Sequence, residues 1–412
     1  MLRKIIGEKF YCGLDIGSQR LKAALMKAAD PHCQELLGVY EAKTLGFKDS
    51  SVSDLVELTE CIHKTLTELS KKTGVKLKEI HLGVGGDFIE VRKNNSVMPL
   101  VDRGSKVIGS HDVKKINNQA RLLGLKVEEE ILHDFPQYYK VDDVNTALNP
   151  VGLLGRKLEV YSLLIVANLT RLRNITKAVN QAGYEVANVF FSGFSAASVS
   201  LNEQLKSDGC VLIDIGSKVT NILIFKNGLL RHLDRIPMGG DHLTLRIMLD
   251  LNLPFNLAED IKKSYANAIS TDEQNEEEIL VKKNSAYLPI KRKEIVQSIK
   301  PEIDKFVEAI KNSLNSSGML EEIKGGMVVI GGGALLTGMI ERIEQETSLS
   351  VSIGKARVGL KSLTNAVTFA AAVGLSQMGL NHSFGVSPLS DVRTTWTKGL
   401  VGRIKEFYQE YF

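Results

Sequence analysis

The chain has 412 residues, 43% of them apolar, and its 52 basic and 48 acidic residues leave a net charge of +4. This size and apolar content are typical of a folded protein with two to four domains or subdomains, and the near balance of charge argues against nucleic acid as a partner. The four cysteines, at positions 12, 33, 61 and 210, form no CxxC pair, which argues against a zinc site and fits a reducing compartment.

The N-terminal stretch is not predicted to be a secretory signal, because Glu8, Lys9 and Asp15 interrupt its apolar residues. No apolar run elsewhere is long enough to span a bilayer. The body of the protein is therefore expected to be soluble and cytoplasmic.

The first predicted elements are two apolar strands joined by the turn Leu14-Asp15-Ile16-Gly17-Ser18. A glycine permits a tight turn and close approach of the backbone to a ligand. The serine hydroxyl and backbone N–H groups can donate to phosphate oxygens, and the aspartate can hold a hydrated Mg²⁺. One such turn is a weak signal, since strand-Asp-x-Gly turns are common in hairpins.

A third extended stretch, 35–42, precedes an amphipathic helix predicted over 53–73, with Ser53 as its N-cap and Gly74 ending it. Residues 80–84 then read as a buried strand. Alternating strands and helices indicate an α/β protein.

Residues 87–161 break this pattern and are predicted to form an inserted subdomain. It contains a helix near 113–122 and strands near 138–144 and 156–165. The main pattern then resumes with helices predicted over 170–182 and 195–205.

The turn recurs as Ile213-Asp214-Ile215-Gly216-Ser217. Two copies this far apart suggest a duplicated α/β domain closing on one nucleotide. A strand over 231–237 follows and ends at Met238-Gly239-Gly240, and further helices are predicted around residues 243–251, 259–268 and 294–314. The acidic run 271–278 is predicted to be a solvated loop.

A third glycine turn, Gly331-Gly332-Gly333, follows the buried strand 327–330 and is predicted to open a helix running to Glu346. Unpaired N–H groups at a helix start favour anionic or polar atoms. The turn is neither a Walker A motif nor a GxGxxG fingerprint.

The C-terminal residues differ in composition from the rest of the chain. Residues 379–395 are rich in Ser, Asn, Gly and Thr and are predicted to be a linker. Beyond them, apolar side chains recur at helical spacing on one face. Their aromatic content and position after a linker favour a helix that inserts at a membrane surface, through Trp396, Leu400, Ile404, Phe407, Tyr408, Tyr411 and Phe412.

The order LDIGS, IDIGSKVTNILIF, IPMGGDHLT and VVIGGGALLTG resembles the phosphate-1, phosphate-2 and adenosine motifs of the actin, Hsp70 and sugar-kinase superfamily. Within it, the chain resembles the FtsA family of bacterial cell-division proteins over nearly its whole length. Residues 131–139 and 149–160 carry the most specific likeness, to the inserted subdomain of that family. The implied fold is α/β, actin-like (ribonuclease-H-like) duplicated domains with an inserted α+β subdomain and a C-terminal amphipathic helix.

The resemblance implies that ATP and Mg²⁺ bind between the two domains, with the metal held through water by Asp15 and Asp214. The other implied nucleotide contacts are Gly17, Ser18, Gly216, Ser217, Lys218, Thr220, Gly239, Gly240, Lys262 and Gly331 to Gly333. For Lys262, a solvated helix lysine is the competing interpretation. The implied divisions are 10–83 and 166–205 (first domain), 84–165 (insert), 206–241 and 316–378 (second domain and return to the first), 242–315 (its upper subdomain), 379–395 (linker) and 396–412 (anchor).

The implied function is a filament-forming tether that binds FtsZ, membrane lipids and other division proteins. The C-terminal tail of FtsZ would dock on this chain at about residues 242–315. Its implied location is the cytoplasmic face of the inner membrane at the division site. Weak or absent hydrolysis is expected, since Val189 to Phe194 has no carboxylate or amide side chain and Asn221 stands where many relatives have Asp. Two alternatives remain open: a PilM-like scaffold of a pilus or secretion system, and a small-molecule kinase or phosphatase.

Overall fold

The computed structural model describes residues 9–30, 33–269, 277–283, 286–356 and 367–384. Its first half opens with three antiparallel strands, a short hairpin, a helix and a strand that returns parallel to the first. These elements are β1 (Lys9–Ile16), β2 (Arg20–Asp30), β3 (Cys33–Lys43), β4 (Phe47–Lys48), β5 (Ser51–Val52), α1 (Leu55–Thr73) and β6 (Glu79–Val84).

An inserted unit follows β6, and its long strands form a separate four-stranded sheet in the order β10-β9-β12-β7, against which α2 packs. Met98, Ile116, Leu158 and Val160 belong to its own small apolar core. Its elements are β7 (Ile89–Pro99), β8 (Lys106–Val107), α2 (Ser110–Leu123), β9 (Glu129–Val141), β10 (Asn145–Ala147), β11 (Leu154–Gly155) and β12 (Lys157–Asn168).

The first sheet is completed after the insert, in the order β13-β6-β1-β2-β3. The elements that complete this half of the chain are α3 (Leu169–Gln181), β13 (Glu185–Phe191), α4 (Ser192–Ser200) and α5 (Glu203–Asp208).

The second half contains an equivalent five-stranded sheet, in the order β16-β15-β14-β19-β20. In both sheets the strand carrying the Asp-Ile-Gly-Ser turn pairs antiparallel with the next strand and parallel with a later one. The duplicated domain predicted from the sequence is therefore confirmed. The elements are β14 (Cys210–Ile215), β15 (Thr220–Lys226), β16 (Leu229–Ile236), α6 (Gly240–Asp250), α7 (Phe255–Tyr265), β17 (Glu278–Lys283), β18 (Ala286–Lys291), α8 (Arg292–Ser316), β19 (Met327–Ile330), α9 (Met339–Thr347) and β20 (Val351–Ile353).

The last described helix, α10 (Ala370–Ser383), returns to the first half and packs on β1, β2, β6 and α4. Ser376 lies at the centre of this contact: its hydroxyl accepts from the Gly13 N–H at 3.0 Å and lies 3.0 Å from the Ala24 carbonyl oxygen. Gly374 is required here, because a Cβ would lie 1.8 Å from the Ser195 carbonyl oxygen of α4.

Several boundaries predicted from the sequence are wrong. The N-cap of α1 is Asp54, whose carboxylate accepts from the N–H groups of Val56 and Glu57, and not Ser53. The helix predicted over 195–205 is two helices, because Leu201 is extended and Asn202 caps α5. The helix predicted from 259 begins at Phe255 and ends at Tyr265.

The glycine turn at 331–333 does not open a continuous helix: a 3₁₀ turn (Gly332–Leu335) precedes α9, because Gly338 adopts the left-handed conformation between them. The linker predicted from Gly379 is also wrong in its first residues, since α10 continues to Ser383. The predicted membrane-binding residues and most of the acidic loop lie outside the described residues.

Candidate nucleotide site

A cleft of about 870 Å³ lies between the two five-stranded sheets. Its walls include both Asp-Ile-Gly-Ser turns and both later glycine turns. The structure therefore brings thirteen of the fourteen predicted nucleotide-site residues together: Asp15, Gly17, Ser18, Asp214, Gly216, Ser217, Lys218, Gly239, Gly240, Lys262, Gly331, Gly332 and Gly333.

The two Asp-Ile-Gly-Ser turns have the same geometry. The N–H of Gly17 donates to Arg20 O at 3.1 Å, and the N–H of Gly216 donates to Val219 O at 3.0 Å. A Cβ at either glycine would lie 2.8 Å from that same carbonyl oxygen. Each turn therefore needs glycine for the same steric reason, and the two form equivalent walls of the cleft.

The later glycines allow the remaining loops to approach the second turn. A Cβ on Gly239 would lie 2.5 Å from Gly216 O, and one on Gly331 would lie 2.4 Å from Ile215 O and 2.7 Å from a carboxylate oxygen of Asp214. By contrast, a Cβ on Gly332 would meet nothing within 4 Å. Packing among the described residues therefore does not require glycine at position 332, which lines the cleft.

Two aspartates lie at the base of the cleft, and burial raises the pKa of both. Asp15 accepts a 2.6 Å hydrogen bond from Ser192 Oγ, which with the charge of Lys22 partly opposes the rise. The pKa of Asp214 is raised to about 6, by burial and by the negative charge of Asp15, against Lys22 and a hydrogen bond from Asn221. Carboxylate oxygens are the ligands that Mg²⁺ takes in proteins, so Asp15 and Asp214 fit a Mg²⁺ ion and would hold it, directly or through water.

Lys262 is not a solvated lysine. Its side chain is 11% exposed, and its Nζ lies 2.7 Å from Glu259 Oε2. The same ammonium donates to Gly240 O at 2.9 Å and to Thr244 Oγ1 at 2.8 Å. It therefore fixes the first turn of α6, including the glycine turn, against α7 at the cleft wall.

Two contacts join the domains beside the cleft. Each is made by the residue that directly follows the serine of an Asp-Ile-Gly-Ser turn. Gln19 Nε2 donates to Asp241 Oδ2 at 3.0 Å, and Lys218 Nζ lies 2.5 Å from Asp49 Oδ1. Each motif thus contacts the opposite domain.

Thr220 lies outside the cleft lining. It is fully buried, and its hydroxyl donates to Met238 O at 2.8 Å, so its contact is with the chain leading to Gly239. Its neighbour Asn221 lines the cleft.

Sequence reasoning missed several cleft residues with polar contacts, among them Lys22, Ser192 and Asp241. Lys22 had a detectable signal, because it follows Asp15 by seven residues as Asn221 follows Asp214.

The segment leading to Ser192 is held by the inserted unit. The N–H of Phe191 donates to His133 Nε2 at 3.0 Å, and the His133 ring lies 4.8 Å from that of Phe194. The next residue, Ser192, reaches Asp15. The inserted unit is therefore connected to the carboxylate pair through two consecutive residues.

The duplicated sheets and the cleft between them define an actin-like fold. The PilM-PilN type IV pilus biogenesis complex contains a chain that matches with a TM-score of 0.65 and 15% identity, covering 90% of this chain and 98% of that one. MreB5 of Spiroplasma citri bound to ADP matches with a TM-score of 0.52 and 13% identity, covering 91% and 98%. At these identities the likeness establishes the fold alone.

The sequence comparisons identify the family. The model of cell division protein FtsA matches residues 211–374, and that of the SHS2 domain inserted in FTSA matches 86–166, together more than half of the chain. FtsA of Pseudomonas aeruginosa is 26% identical, covering 92% of this chain and 91% of its own, and that of Bacillus subtilis is 29% identical, covering 81% and 75%. The chain belongs to the FtsA family of cell-division proteins. In the described ranges, no helix is long and apolar enough to cross a membrane.

Proposed function

We propose that this chain binds ATP in the interdomain cleft, polymerises, and tethers FtsZ filaments to the cytoplasmic membrane through residues 396–412. The observation that carries the nucleotide part is the facing pair of equivalent Asp-Ile-Gly-Ser turns across one cleft. A related fold, MreB5, is described as bound to ADP. Family membership supports the division role.

Each wall of the cleft has a distinct part in holding the nucleotide. The turns around Gly17 and Gly216 would hold the phosphates from opposite sides, Gly331 to Gly333 would face the adenosine, and Asp15 and Asp214 would hold hydrated Mg²⁺. All of these residues line the cleft. A metal held there would neutralise charge on the phosphates. Lys262 positions the Gly239-Gly240 turn through its bond to Gly240 O.

The cleft is equipped for binding more than for hydrolysis. Within segment 189–194, Ser192 faces Asp15, and its hydroxyl donates a hydrogen bond to that carboxylate. A hydroxyl bound in this way offers no base to an attacking water. Slow or absent turnover follows, so nucleotide acts mainly as a switch of subunit shape. The absence of a carboxylate or amide side chain from segment 189–194 likewise disfavours a small-molecule kinase or phosphatase.

Membrane attachment is assigned to the apolar face of residues 396–412. Between Arg393 and Phe412 there are four basic and two acidic residues, so apolar insertion outweighs attraction to anionic lipid. One such helix binds reversibly, whereas subunits joined in a filament hold by avidity.

Docking of the FtsZ tail is assigned to about residues 242–315. The family match disfavours the PilM-like alternative, although a PilM chain shares the fold.

Co-sedimentation tests this function. Full-length protein is mixed with FtsZ and liposomes of phosphatidylethanolamine and phosphatidylglycerol, with and without Mg-ATP. FtsZ is expected in the lipid pellet only when the full chain is present. Deletion of 396–412 and Trp396→Glu should release both proteins, whereas Lys398→Gln, which keeps the apolar face, should retain most binding. Lipid sedimentation unaffected by the deletion would refute the anchor, and FtsZ left in the supernatant would refute the tether.

Nucleotide turnover is tested separately in a single-turnover assay. Phosphate release is expected to be slow or undetectable. Brisk release would contradict the assignment of ATP as a switch.

A further inference from the structure

One imidazole of the inserted unit is buried against the first domain. His133 on β9 is fully buried, and its Nε2 accepts a 3.0 Å hydrogen bond from the N–H of Phe191. A ring nitrogen that accepts carries no proton, so this bond forms only when the imidazole is neutral with its proton on Nδ1. Phe191 is the N-cap residue of α4, and its apolar side chain cannot cap that helix. The imidazole therefore fixes the backbone at the point where β13 becomes α4.

Three phenylalanine rings contact the imidazole and fix its orientation. The His133 ring stacks on Phe135 of the same strand, with 5.5 Å between ring centroids. It meets Phe194 of α4 edge-on at 4.8 Å, and Phe190 of β13 lies at 6.0 Å. The three phenylalanines are at most 4% exposed. Aromatic rings at these separations pack in specific geometries, so Nε2 is kept directed at the Phe191 N–H.

The residue after Phe191 reaches the candidate nucleotide site. Ser192 lines the cleft, and its Oγ donates to Asp15 Oδ1 at 2.6 Å. A Cβ on Gly83 of β6 would lie 2.7 Å from Ser192 Oγ and 3.3 Å from Asp15 Oδ1, so this glycine leaves the space in which the two groups meet. The hydroxyl that contacts the cleft carboxylate is thus one residue away from the backbone group that the inserted unit binds.

The residue after His133 connects the same strand to α2. Asp134 is fully buried, and its Oδ2 accepts from Arg121 Nε of α2 at 2.7 Å. Adjacent residues of a strand face opposite sides of the sheet, so His133 contacts the first domain whereas Asp134 contacts α2. Breaking a buried ion pair is costly. A shift of segment 191–192 therefore moves β9 and α2 together.

We propose that His133 is a positioning residue that couples occupancy of the nucleotide site to the docking of the inserted unit. The inference rests on the proposed nucleotide function and deepens it, because it names a regulatory route for the same site. Two states are involved: a docked unit, in which the Phe191 N–H is bonded to His133, and a loosened unit, in which that bond is broken and Ser192 can leave Asp15.

Nucleotide favours the docked state because it occupies the cleft beside Ser192 and restricts segment 191–192, and His133 transmits that restriction to β9 and α2. The effect is reciprocal, since two linked equilibria share one coupling free energy. A partner that stabilises the docked inserted unit therefore raises the affinity of the cleft for nucleotide.

Hydrogen exchange of the full-length chain, with and without saturating Mg-ADP, tests the proposal. The measured quantity is the fold reduction in the exchange rate of α2 and β9 amides when nucleotide is added. For the natural chain a reduction of about fivefold or more is expected, which is the lower end of typical coupling. His133→Phe keeps an aromatic ring but removes the acceptor, so the reduction should disappear. His133→Gln, whose Oε1 can accept in place of Nε2, should restore most of it.

Calorimetric titration with Mg-ADP measures the reciprocal effect. The Kd should rise in His133→Phe by about the factor that is lost from the exchange measurement. Tyr139→Phe is the matched control, because it removes a buried hydrogen bond between Tyr139 and Asn117 of α2 and leaves the Phe191 contact in place. It should loosen α2 with and without nucleotide, whereas its fold reduction and its Kd should equal those of the natural chain.

The outcomes separate the two levels of the proposal. No binding of Mg-ADP to the natural chain would overturn the proposed nucleotide function and this inference with it. Binding without any change in α2 or β9 exchange would overturn the coupling alone. Equal reductions in the natural chain and His133→Phe would overturn the role of His133. If His133→Phe does not fold, Ser192→Ala decides, because it cuts the same route at the cleft end: a reduction equal to that of the natural chain would overturn the route.

Discussion

Lys218 and Asp49 join the two domains beside the cleft, with 2.5 Å between Nζ and Oδ1. Each side chain is at least one-third exposed, so the pair contributes little to overall stability. Its position gives it another effect: because the pair joins the two domains beside the cleft, it must break before the domains separate.

Asp49→Asn should therefore accelerate nucleotide release by about two- to fivefold, the range that exposed ion pairs produce, with an unchanged melting temperature. Stopped-flow chase of a fluorescent ATP analogue measures the rate. Glu203→Gln is the control, because it removes an exposed ion pair with Lys206 that lies within one short helix. An equal release rate in Asp49→Asn and the control would contradict the prediction.

The glycine turns allow a paired test of packing and ligand approach. Gly239→Ala places a Cβ against Gly216 O and Ser217 O, at 2.5 and 2.7 Å, and should destabilise the fold by roughly 1 to 3 kcal/mol. Gly332→Ala meets nothing within 4 Å, so its stability should equal that of the natural chain. Denaturant unfolding measures both. Nucleotide affinity should fall in Gly332→Ala although its fold is intact, and unchanged affinity would argue against close approach at that turn.

His81 predicts a loss of stability in acid. Burial and the nearby charge of His382 lower the pKa of His81 from 6.5 to about 4. The unfolded chain therefore takes up a proton that the folded chain refuses, so stability is complete above pH 6.5 and falls as the pH drops toward 4, by roughly 3 kcal/mol in total. Asp214 opposes this trend, because its pKa is raised to about 6 and its contribution to stability therefore grows as the pH falls toward 4. Chemical unfolding of the natural chain and of His81→Gln at a series of pH values should therefore show the His81 contribution as the difference between the two.

His81→Gln should flatten that dependence, whereas His111→Gln, at an exposed position on α2, should preserve it. The His81 ring also packs beside Gly379, where a Cβ would lie 2.2 Å from the ring. The acid transition should therefore loosen α10 first, and hydrogen exchange can follow it. Earlier exchange in β14 than in α10 would contradict this order.

Gln137 links the inserted unit to the second domain. Its Nε2 donates to Leu230 O at 3.0 Å, and its Oε1 accepts from Arg231 Nη1 at 3.2 Å. Gln137→Ala should cost about 1 kcal/mol and increase hydrogen exchange along β9 and β16. Gln119→Ala removes a bond within the inserted unit, to Val97 O, and should leave β16 unchanged. Protection of β16 that persists in Gln137→Ala would show that the link is dispensable.

The glycine turns could be predicted from the sequence because their signal is local: an apolar strand, an acid, a glycine and a hydroxyl within five residues. Because the turn occurs twice, the sequence also predicted that the two copies would meet at one cleft. The pairings of Gln19 with Asp241 and of Lys218 with Asp49 could not be predicted, because they join residues 222 and 169 positions apart. No spacing in the sequence encodes such contacts.

Thr220 illustrates a one-residue error with a physical cause. Side chains alternate between the faces of a strand, so Asn221, opposite Asp214, faces the cleft and Thr220 faces inward. The predicted helix boundaries were wrong for another reason. Leu201 and Gly338 interrupt regular helix through backbone conformation, which neither apolar periodicity nor composition reveals.

The return of α10 to the first sheet has a consequence for synthesis. The Gly13 N–H finds its acceptor at Ser376, 363 residues later, so one face of the first-made sheet remains uncovered until nearly the whole chain has left the ribosome. Contacts this distant in sequence form slowly, and exposed apolar strands invite aggregation meanwhile. The half of the molecule that is translated first is thus the last to be completed, and chains truncated before residue 370 should need chaperones to stay in solution.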